Sequence, residues 1–312
     1  TKKKMRFIFL VSAAVYASAK AVPTVTLNNK VQMPVVSAGT WQYNNSVAQQ
    51  SCVDALAAGF THFDTAHDYN NQEGVGAFFK DAVASKGRAN LFLTSKVPGC
   101  GVPGQGVRGG AHCYNDTVSV FQENLKQLQV AFVDLMLIHF PPGGCNALTC
   151  GEIQSQWKAF EDMYAQNLSR AIGVSNYCQS CFSCLFKTAK TVPAVNQVQY
   201  HIGMGADPIG LHTYLTQKGI VMQAYSPLGD GSSELITGNL TNGIGKKYGK
   251  SGAQVALKWI VQHSVPLSTK STKPKNLASD IDLFDFTLSA SDMATLDAAT
   301  SPAGKVSFMC TK

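Results

Sequence analysis

Eight short apolar or β-branched runs recur along the chain, separated by stretches that are long enough to form helices. Several of these runs are continuously hydrophobic, as is typical of parallel strands covered on both faces. The runs occupy residues 35–41, 62–66, 91–97, 134–140, 171–176, 195–201, 220–226 and 266–272. This pattern predicts eight parallel β-strands.

The stretches between these runs show helical periodicity. In the segment 115–128, for example, Val118, Phe121, Leu125 and Leu128 fall on one face of a helix. Further helices are predicted at 51–58, 155–166, 211–218 and 251–263. Eight strand–helix alternations without a break in composition predict an α/β fold, a single (β/α)8 TIM barrel that occupies residues 22–312.

A small β-hairpin is predicted ahead of the first barrel strand. Residues 24–27 and 31–33 have strand-forming composition, and an Asn-rich turn, Asn28–Asn29, separates them. We expect this hairpin to plug the bottom of the barrel.

The first 21 residues have the pattern of a secretory signal peptide. Basic residues precede an apolar run at 7–15, and small residues follow as far as Ala21. The run is shorter than the roughly 20 residues that cross a bilayer. The mature protein is therefore expected in the secretory pathway, secreted or luminal, with no membrane association after the leader is removed.

The net charge changes with this interpretation. The chain has 26 Lys and Arg against 19 Asp and Glu, and five of the basic residues lie in 1–21. Removing those five leaves 21 basic residues, a net charge of about +2. Because the remainder has no basic run with interleaved aromatic residues, no nucleic-acid partner is expected. We expect a monomer that acts on a small molecule.

Nine cysteines behind a signal peptide favour an oxidising compartment and several disulfides, with an odd thiol left over. Cys100 with Cys113 and Cys145 with Cys150 are plausible local bridges, although spacing does not fix the connectivity. Four N-x-[ST] sequons permit glycosylation. They lie at Asn44, Asn115, Asn167 and Asn239.

Three further cysteines, Cys178, Cys181 and Cys184, form a C-x-x-C-x-x-C run. Such a run suits a metal or redox site. No histidine cluster nearby completes a tetrahedral ligand set, so disulfide partners or buried thiols are the favoured interpretation and no metal is expected.

Four polar side chains fall at the upper ends of successive strands, where a barrel keeps its chemistry. Asp64 ends the second strand and Tyr69 follows it, while Lys96 ends the third strand and His139 the fourth. Reduction of a carbonyl requires a hydride donor, a group that stabilises charge on the oxygen, and an acid. These four residues offer the roles that a protein supplies.

Each residue type suits one of those roles. A phenol has a pKa of roughly 10, so Tyr69 needs a neighbouring cation before it releases its proton readily. The ammonium of Lys96 is such a cation, and the carboxylate of Asp64 offsets the cost of burying it. A neutral His139 is able to donate a hydrogen bond to the carbonyl oxygen.

Several segments of the chain resemble, in order, the conserved segments of the aldo-keto reductase superfamily. The resemblance spans residues 25–299, and the segments that carry it are Gly39-Thr40-Trp41, Phe63-Asp64-Thr65-Ala66 with Tyr69, Ser95-Lys96, Leu137-Ile138-His139, Gly173-Val174-Ser175-Asn176, Asn196-Gln197-Val198, Ala224-Tyr225-Ser226-Pro227-Leu228 and Lys270-Ser271-Thr272.

The resemblance implies an NAD(P)H-dependent reductase of aldehydes or ketones, with Tyr69 as general acid in a tetrad with Asp64, Lys96 and His139. It also implies that Trp41 and Phe140, together with His139, form the wall of the substrate pocket. The residues that it assigns to the cofactor are Ser175, Asn176 and Gln197 at the nicotinamide carboxamide, Tyr225 stacked on the nicotinamide ring, Ser226 and Leu228 at the pyrophosphate, and Lys270 and Ser271 at the adenosine end.

The chain departs from the family at the adenosine end. Asn276 stands where the family usually has an arginine, so a bidentate phosphate contact is lost. Lys273 or Lys275 is able to replace it as a point charge, so NADPH is favoured and NADH is possible. The alternative function is a non-catalytic nucleotide-binding or regulatory protein on the same barrel.

Overall fold

A computed structural model describes residues 22–143, 145 and 148–307 of the chain. The predicted signal peptide, residues 1–21, lies outside the described residues. So does the end of the chain, from residue 308 to residue 312.

Eight parallel strands form a closed barrel, and the eighth pairs with the first through Leu267 and Val36. All eight predicted strands are present, each shorter than the run that predicted it. They are β3 (Val36–Gly39), β4 (His62–Asp64), β5 (Phe92–Val97), β6 (Leu135–Ile138), β7 (Ile172–Ser175), β8 (Val195–Gln199), β9 (Val221–Tyr225) and β10 (Leu267–Thr269). The predicted (β/α)8 barrel is therefore confirmed.

Helices surround the barrel. They are α1 (Asn45–Ala58), α2 (Gln72–Lys86), α3 (Cys113–Gln127), α4 (Cys150–Ala165), α5 (Gln179–Leu185), α6 (Leu211–Gln217), α7 (Ser233–Ile236), α8 (Asn239–Tyr248), α9 (Gly252–Gln262), α10 (Pro274–Ile281) and α11 (Ala290–Asp297). The five helices predicted from periodicity correspond to α1, α3, α4, α6 and α9. Capping by Asn44, whose side chain accepts from Val47 N, starts α1 six residues earlier than its apolar pattern indicated.

Helix α2 was not predicted, and its glycines explain why. Glycine disfavours a helix interior, but here it permits close packing. A Cβ atom at Gly74 would lie 2.0 Å from the carbonyl oxygen of Asn45, and one at Gly76 would lie 2.5 Å from that of Gln127. Close contact with α1 and with the end of α3 thus requires residues that weaken the local helical signal.

The predicted N-terminal hairpin is present as β1 (Thr24–Thr26) and β2 (Gln32–Pro34), which pair antiparallel. Leu27 and Met33 are fully buried against residues of the barrel strands, among them Leu135 and Val195 at the first positions of their strands. Since these are the N-terminal ends of parallel strands, the hairpin closes the bottom of the barrel, as predicted.

Disulfides join the loops on the opposite face. The predicted bridge between Cys100 and Cys113 is present. The predicted bridge between Cys145 and Cys150 is wrong, because the structure pairs Cys145 with Cys181 and Cys150 with Cys184. Positions 181 and 184 are one helical turn apart on α5, so that one helix face presents one sulfur atom to Cys145, before α4, and the other to Cys150, the first residue of α4.

All three cysteines of the C-x-x-C-x-x-C run are disulfide-bonded. This agrees with the favoured interpretation of the run as disulfide partners. Cys52 on α1 is the free thiol of the described residues; it is buried, and burial raises its pKa. In the described part of the chain no helix is both long and apolar enough to span a membrane.

Candidate active site

The predicted catalytic side chains gather where the barrel strands end. Asp64 is the last residue of β4, and a 3-10 turn, His67–Tyr69, begins three residues later. Lys96 lies near the end of β5, and His139 follows β6. Parallel strands in register bring these positions to one mouth of the barrel, with Asp64 opposite Thr94 and Lys96 opposite Leu137.

Lys96 joins two of these residues. Its Nζ donates to Oδ1 of Asp64 at 2.5 Å and to the hydroxyl of Tyr69 at 3.3 Å. It also donates to the carbonyl oxygen of Thr65 at 3.0 Å. The Lys96 side chain is inaccessible to solvent, and that of Asp64 is only 4% exposed. All three ammonium protons therefore have acceptors.

Burial and charge act in opposite directions on both titrating groups. Burial lowers the pKa of Lys96, but the carboxylate of Asp64 and the phenol of Tyr69 outweigh it, so the pKa lies above its ordinary value. Burial raises the pKa of Tyr69 to about 12, against the opposing effect of the Lys96 ammonium. At neutral pH the ammonium is therefore charged and the phenol keeps its proton.

His139 completes the predicted set of four residues. Its ring lies edge-on to the Tyr69 ring, with the centroids 5.5 Å apart, and 4.6 Å from the ring of Phe140. Its Nδ1 lies 2.7 Å from Oδ1 of Asp68. Asp68 is not among the site residues predicted from the sequence; its signal there is that of a second acidic residue, one position before Tyr69.

Two buried amide side chains next to Lys96, those of Asn124 and Gln72, are also absent from the predicted site residues. Asn124 of α3 donates to the carbonyl oxygen of Lys96 at 2.9 Å and accepts from Gln72 at 2.7 Å. Gln72 in turn accepts from the hydroxyl of Ser95 at 2.5 Å. The signal for Asn124 was a polar residue on the otherwise apolar face of the predicted helix 115–128.

The residues assigned to the nicotinamide carboxamide form one buried cluster at the end of β7 and on β8. Ser175 donates to the carbonyl oxygen of Gln197 at 2.7 Å, and the Asn176 amide donates to that of His139 at 2.9 Å. The Gln197 amide donates to Oδ2 of Asp64 at 2.8 Å. This cluster is therefore connected by hydrogen bonds both to Asp64 and to His139.

The last residue of β9, Tyr225, contacts that cluster. The hydroxyl of Tyr225 donates to Oδ1 of Asn176 at 2.9 Å. Asn176 and Ser226 both have positive φ, 62° and 49°, a conformation that is uncommon outside glycine and that concentrates at functional sites. Ser226 donates to the carboxylate of Asp230, and Leu228 is partly buried in the same loop.

Lys270 lies beside Trp41. Its Nζ donates to the carbonyl oxygen of Trp41 at 2.9 Å and to Oε1 of Gln42 at 2.6 Å, and lies 5.2 Å from the centroid of the Trp41 ring. Trp41 is 46% exposed, so ordinary core packing does not account for it. Ser271 accepts from the backbone N–H of Lys273, at the start of α10.

The structure thus brings the predicted catalytic side chains together at the ends of neighbouring barrel strands. An ion pair excluded from water, a phenol within hydrogen-bonding distance of it and a histidine beside that phenol can transfer a proton to an oxygen. The fold and this site define a barrel oxidoreductase. The chain belongs to the Aldo/keto reductase family, whose sequence pattern it matches over residues 35–301.

Individual relatives agree with this assignment. The chain is 36% identical over 276 residues to the glyoxal reductase of Bacillus subtilis, covering 88% of this chain and 92% of that protein. The crystal structure of an aldo-keto reductase from a Medee basin deep-sea metagenome library matches with a TM-score of 0.80 and 31% identity, over 91% of this chain and 98% of that one. The Bombyx mori aldo-keto reductase in complex with NADP matches with a TM-score of 0.74 and 27% identity, over 89% and 92%.

Proposed function

We propose that this protein reduces an aldehyde or a ketone to an alcohol, with hydride from NAD(P)H and the proton from Tyr69. The observation that carries the proposal is the buried chain of contacts from Asp64 through Lys96 to the Tyr69 hydroxyl. Family membership supports the same chemistry, and so do relatives named as reductases.

Proton transfer follows from the charges around Tyr69. Its phenol is protonated at neutral pH, because burial raises the pKa to about 12. As negative charge develops on the substrate oxygen, that oxygen becomes a stronger base and takes the phenolic proton. The ammonium of Lys96, 3.3 Å away, stabilises the phenolate that remains, and Asp64 keeps this lysine charged.

His139 and two aromatic side chains position the substrate. The imidazole lies beside Tyr69, where a hydrogen bond from a ring nitrogen polarises the carbonyl bond. Phe140, in ring contact with His139, and Trp41, half exposed at the mouth, provide the apolar walls.

The residues of the mouth also fit a nicotinamide nucleotide, which supplies the hydride when bound. The Nε2 of Gln197 is held by Asp64 and Gln223, while no group among the described residues donates to its Oε1. That oxygen is available to a carboxamide N–H, with Ser175 and Asn176 beside it. Tyr225 would supply a ring for stacking on the nicotinamide, and Ser226 and Leu228 would hold the pyrophosphate.

NADPH is the favoured cofactor, and NADH is possible. Lys270 and Ser271 would meet the adenosine end of the cofactor, and Lys273 and Lys275 are exposed at the start of α10. The positive end of that helix and these cations suit a 2′-phosphate. Asn276, also exposed, supplies no charge there, so discrimination against NADH is expected to be modest. The NADP complex of the Bombyx mori relative supports this choice.

The test is a panel of aldehydes, ketones and sugars offered with each reduced cofactor, followed by the absorbance of the reduced nicotinamide. The proposal expects turnover of at least one carbonyl class. The alternative, a non-catalytic nucleotide-binding or regulatory protein, would bind the nucleotide and oxidise none of it in the presence of any carbonyl.

We further propose that the mature protein works in the secretory pathway and is glycosylated. The disulfides of the described residues support an oxidising compartment. The four sequon asparagines are exposed. Treatment of the natural protein with an endoglycosidase should increase its electrophoretic mobility, and amino-terminal sequencing should begin after residue 21. An unchanged mobility, or a chain that retains the leader, would contradict this proposal.

A further inference from the structure

The contact between Asp68 and His139 gives the histidine a fixed orientation. Nδ1 of His139 and Oδ1 of Asp68 are 2.7 Å apart, and the two side chains are only 9% and 16% exposed. Asp68 belongs to the same 3-10 turn as Tyr69, so it is carried by the segment that carries the phenol. With Nδ1 turned to Asp68, Nε2 is the ring nitrogen that remains for a substrate. No group of the described residues forms a hydrogen bond with it.

The direction of this hydrogen bond follows from the charge on Asp68. Burial raises the pKa of Asp68, but the hydrogen bond and the charge interaction with His139 outweigh it, so the pKa lies below its ordinary value. An ionised carboxylate only accepts hydrogen bonds, and therefore Nδ1 carries the hydrogen. A neutral imidazole has a single N–H, so Nε2 then holds a lone pair and is unable to donate.

The tautomer of His139 affects carbonyl reduction, if the protein has the function proposed above. We propose that Asp68 is a positioning residue that holds His139 in the Nδ1–H form, so that His139 polarises the substrate carbonyl only when its ring is doubly protonated. Reduction in this protein then depends on the protonation of His139 as well as on that of Tyr69.

The pH dependence follows from the groups that face the ring. Burial lowers the pKa of His139; Asp68 and Asp64 oppose that effect, and Lys96 adds to it, so the pKa lies below its ordinary value. The neutral phenol of Tyr69 lies against the ring edge. The doubly protonated form is present below the pKa of His139 and is lost as the pH rises through it. Reduction should therefore slow down with rising pH.

Nitrogen-15 NMR of the imidazole rings of the apo protein tests the tautomer directly. The His139→Gln variant identifies the signals of His139 among those of the seven histidines. The expected result is a neutral His139 with its hydrogen on Nδ1. A neutral His139 with its hydrogen on Nε2 would overturn the proposal. This measurement needs no substrate, so it can be read even if the proposed reductase function fails.

The pH profile of kcat/KM for reduction tests the consequence. In the wild-type protein kcat/KM should fall about tenfold per pH unit above the pKa of His139. In the variant Asp68→Leu no carboxylate holds the hydrogen on Nδ1, so a neutral ring is able to donate from Nε2. The kcat/KM of this variant should therefore change by less than about twofold over the same pH range. Asp81→Leu, which removes an exposed carboxylate from α2, is the control and should keep the wild-type profile. The same fall of kcat/KM with rising pH in Asp68→Leu would contradict the proposal.

A second variant covers the case in which Asp68→Leu does not fold. Asp68→Asn keeps an amide oxygen that accepts from Nδ1–H but removes the negative charge. The fall of kcat/KM with rising pH should begin at a lower pH than in the wild type, because the doubly protonated ring loses its counter-ion. If kcat/KM of Asp68→Asn fell at the same pH as that of the wild type, the proposal would be overturned. Absence of turnover in every protein, the wild type included, would instead count against the reductase function.

Discussion

Lys96 and Asp64 form an ion pair of 2.5 Å that is almost entirely excluded from water. A hydrophobic pair of similar volume often stabilises a protein core as well as an ion pair does. Lys96 also contacts the Tyr69 hydroxyl at 3.3 Å, and under the proposed function its charge stabilises the phenolate that forms when Tyr69 releases its proton.

Single and double substitutions separate the contribution of this pair to stability from its contribution to chemistry. Lys96→Met leaves the Asp64 carboxylate buried without its partner, so the free energy of unfolding should fall by about 3–5 kcal/mol. The double variant Asp64→Asn/Lys96→Met should recover most of that loss and still lack reductase activity. Chemical denaturation and turnover measure the two effects. Activity in the double variant would show that the charge is dispensable.

Arg88→Met is the matched control for the same experiment. Arg88 pairs at 2.7 Å with the buried carboxylate of Asp134, which immediately precedes β6 and therefore lies at the opposite end of the barrel. Its removal should lower stability, while the folded fraction keeps its activity.

The lysines at the start of α10 should set the preference between the two cofactors. If Lys273 or Lys275 replaces the arginine of the family as a phosphate contact, substitution by alanine should weaken binding of NADPH more than of NADH, since only NADPH carries the 2′-phosphate. Fluorescence titration gives both dissociation constants. Lys86→Ala on α2 should change neither, and equal weakening of both nucleotides would refute the role of these lysines.

Asp280 makes stability depend on pH. Burial raises its pKa from 3.8 to about 6, against the hydrogen bond that Thr269 donates to it. The folded state therefore favours the protonated carboxyl; this contribution is fully present below pH 3.8 and is lost as the pH rises through about 6. Above that pH the ionised carboxylate costs about 2–3 kcal/mol.

Asp280→Asn should remove this cost, because the amide is neutral at every pH and its oxygen still accepts from Thr269. Thermal unfolding at pH 7.5 should occur roughly 2–4 °C higher than in the wild type for each kcal/mol regained. Below the ordinary pKa of the group the two proteins should differ little. A similar difference at both pH values would indicate packing rather than ionisation, and Asp81→Asn is the exposed control.

The bridge between Cys100 and Cys113 closes a loop over 13 residues. In the chain-entropy treatment a loop of this size contributes about 3 kcal/mol by restricting the unfolded chain. The double variant Cys100→Ser/Cys113→Ser should therefore unfold at a lower denaturant concentration than the wild type in the absence of reductant. The same midpoint for both proteins would mean that the bridge does not constrain the unfolded state.

The barrel could be predicted from the sequence because eight short apolar or β-branched runs recur at intervals that a helix can fill, and several of them are continuously hydrophobic. The ends of β4, β5 and β6 could be located because polar or ionisable residues, Asp64, Lys96 and His139, stand near the end of each run. What could not be predicted depended on contacts between distant segments. Gly74, for example, disfavours a helix when only its neighbours in the sequence are considered. The reason for a glycine there is the close approach of the Asn45 backbone, which leaves no room for a Cβ atom.

The pairing of the cysteines and the contact between Asp68 and His139 could not be predicted from the sequence either. Spacing favoured a bridge from Cys145 to Cys150, whereas the true partners lie on α5, more than thirty residues away. Asp68 is one acidic residue of nineteen in the sequence. Its relationship to His139 arises only when the turn after β4 folds over the end of β6.

Replacement of Tyr69 by phenylalanine tests the proton-donor role most directly, since it deletes a single hydroxyl. Carbonyl reduction should fall by about 10²–10⁴-fold, the usual contribution of a positioned acid, while nucleotide affinity stays nearly unchanged. Tyr114→Phe, which deletes a hydroxyl that contacts Asp162 on the outer helices, should leave both unchanged. Wild-type turnover in Tyr69→Phe would contradict the assignment of Tyr69 as the acid.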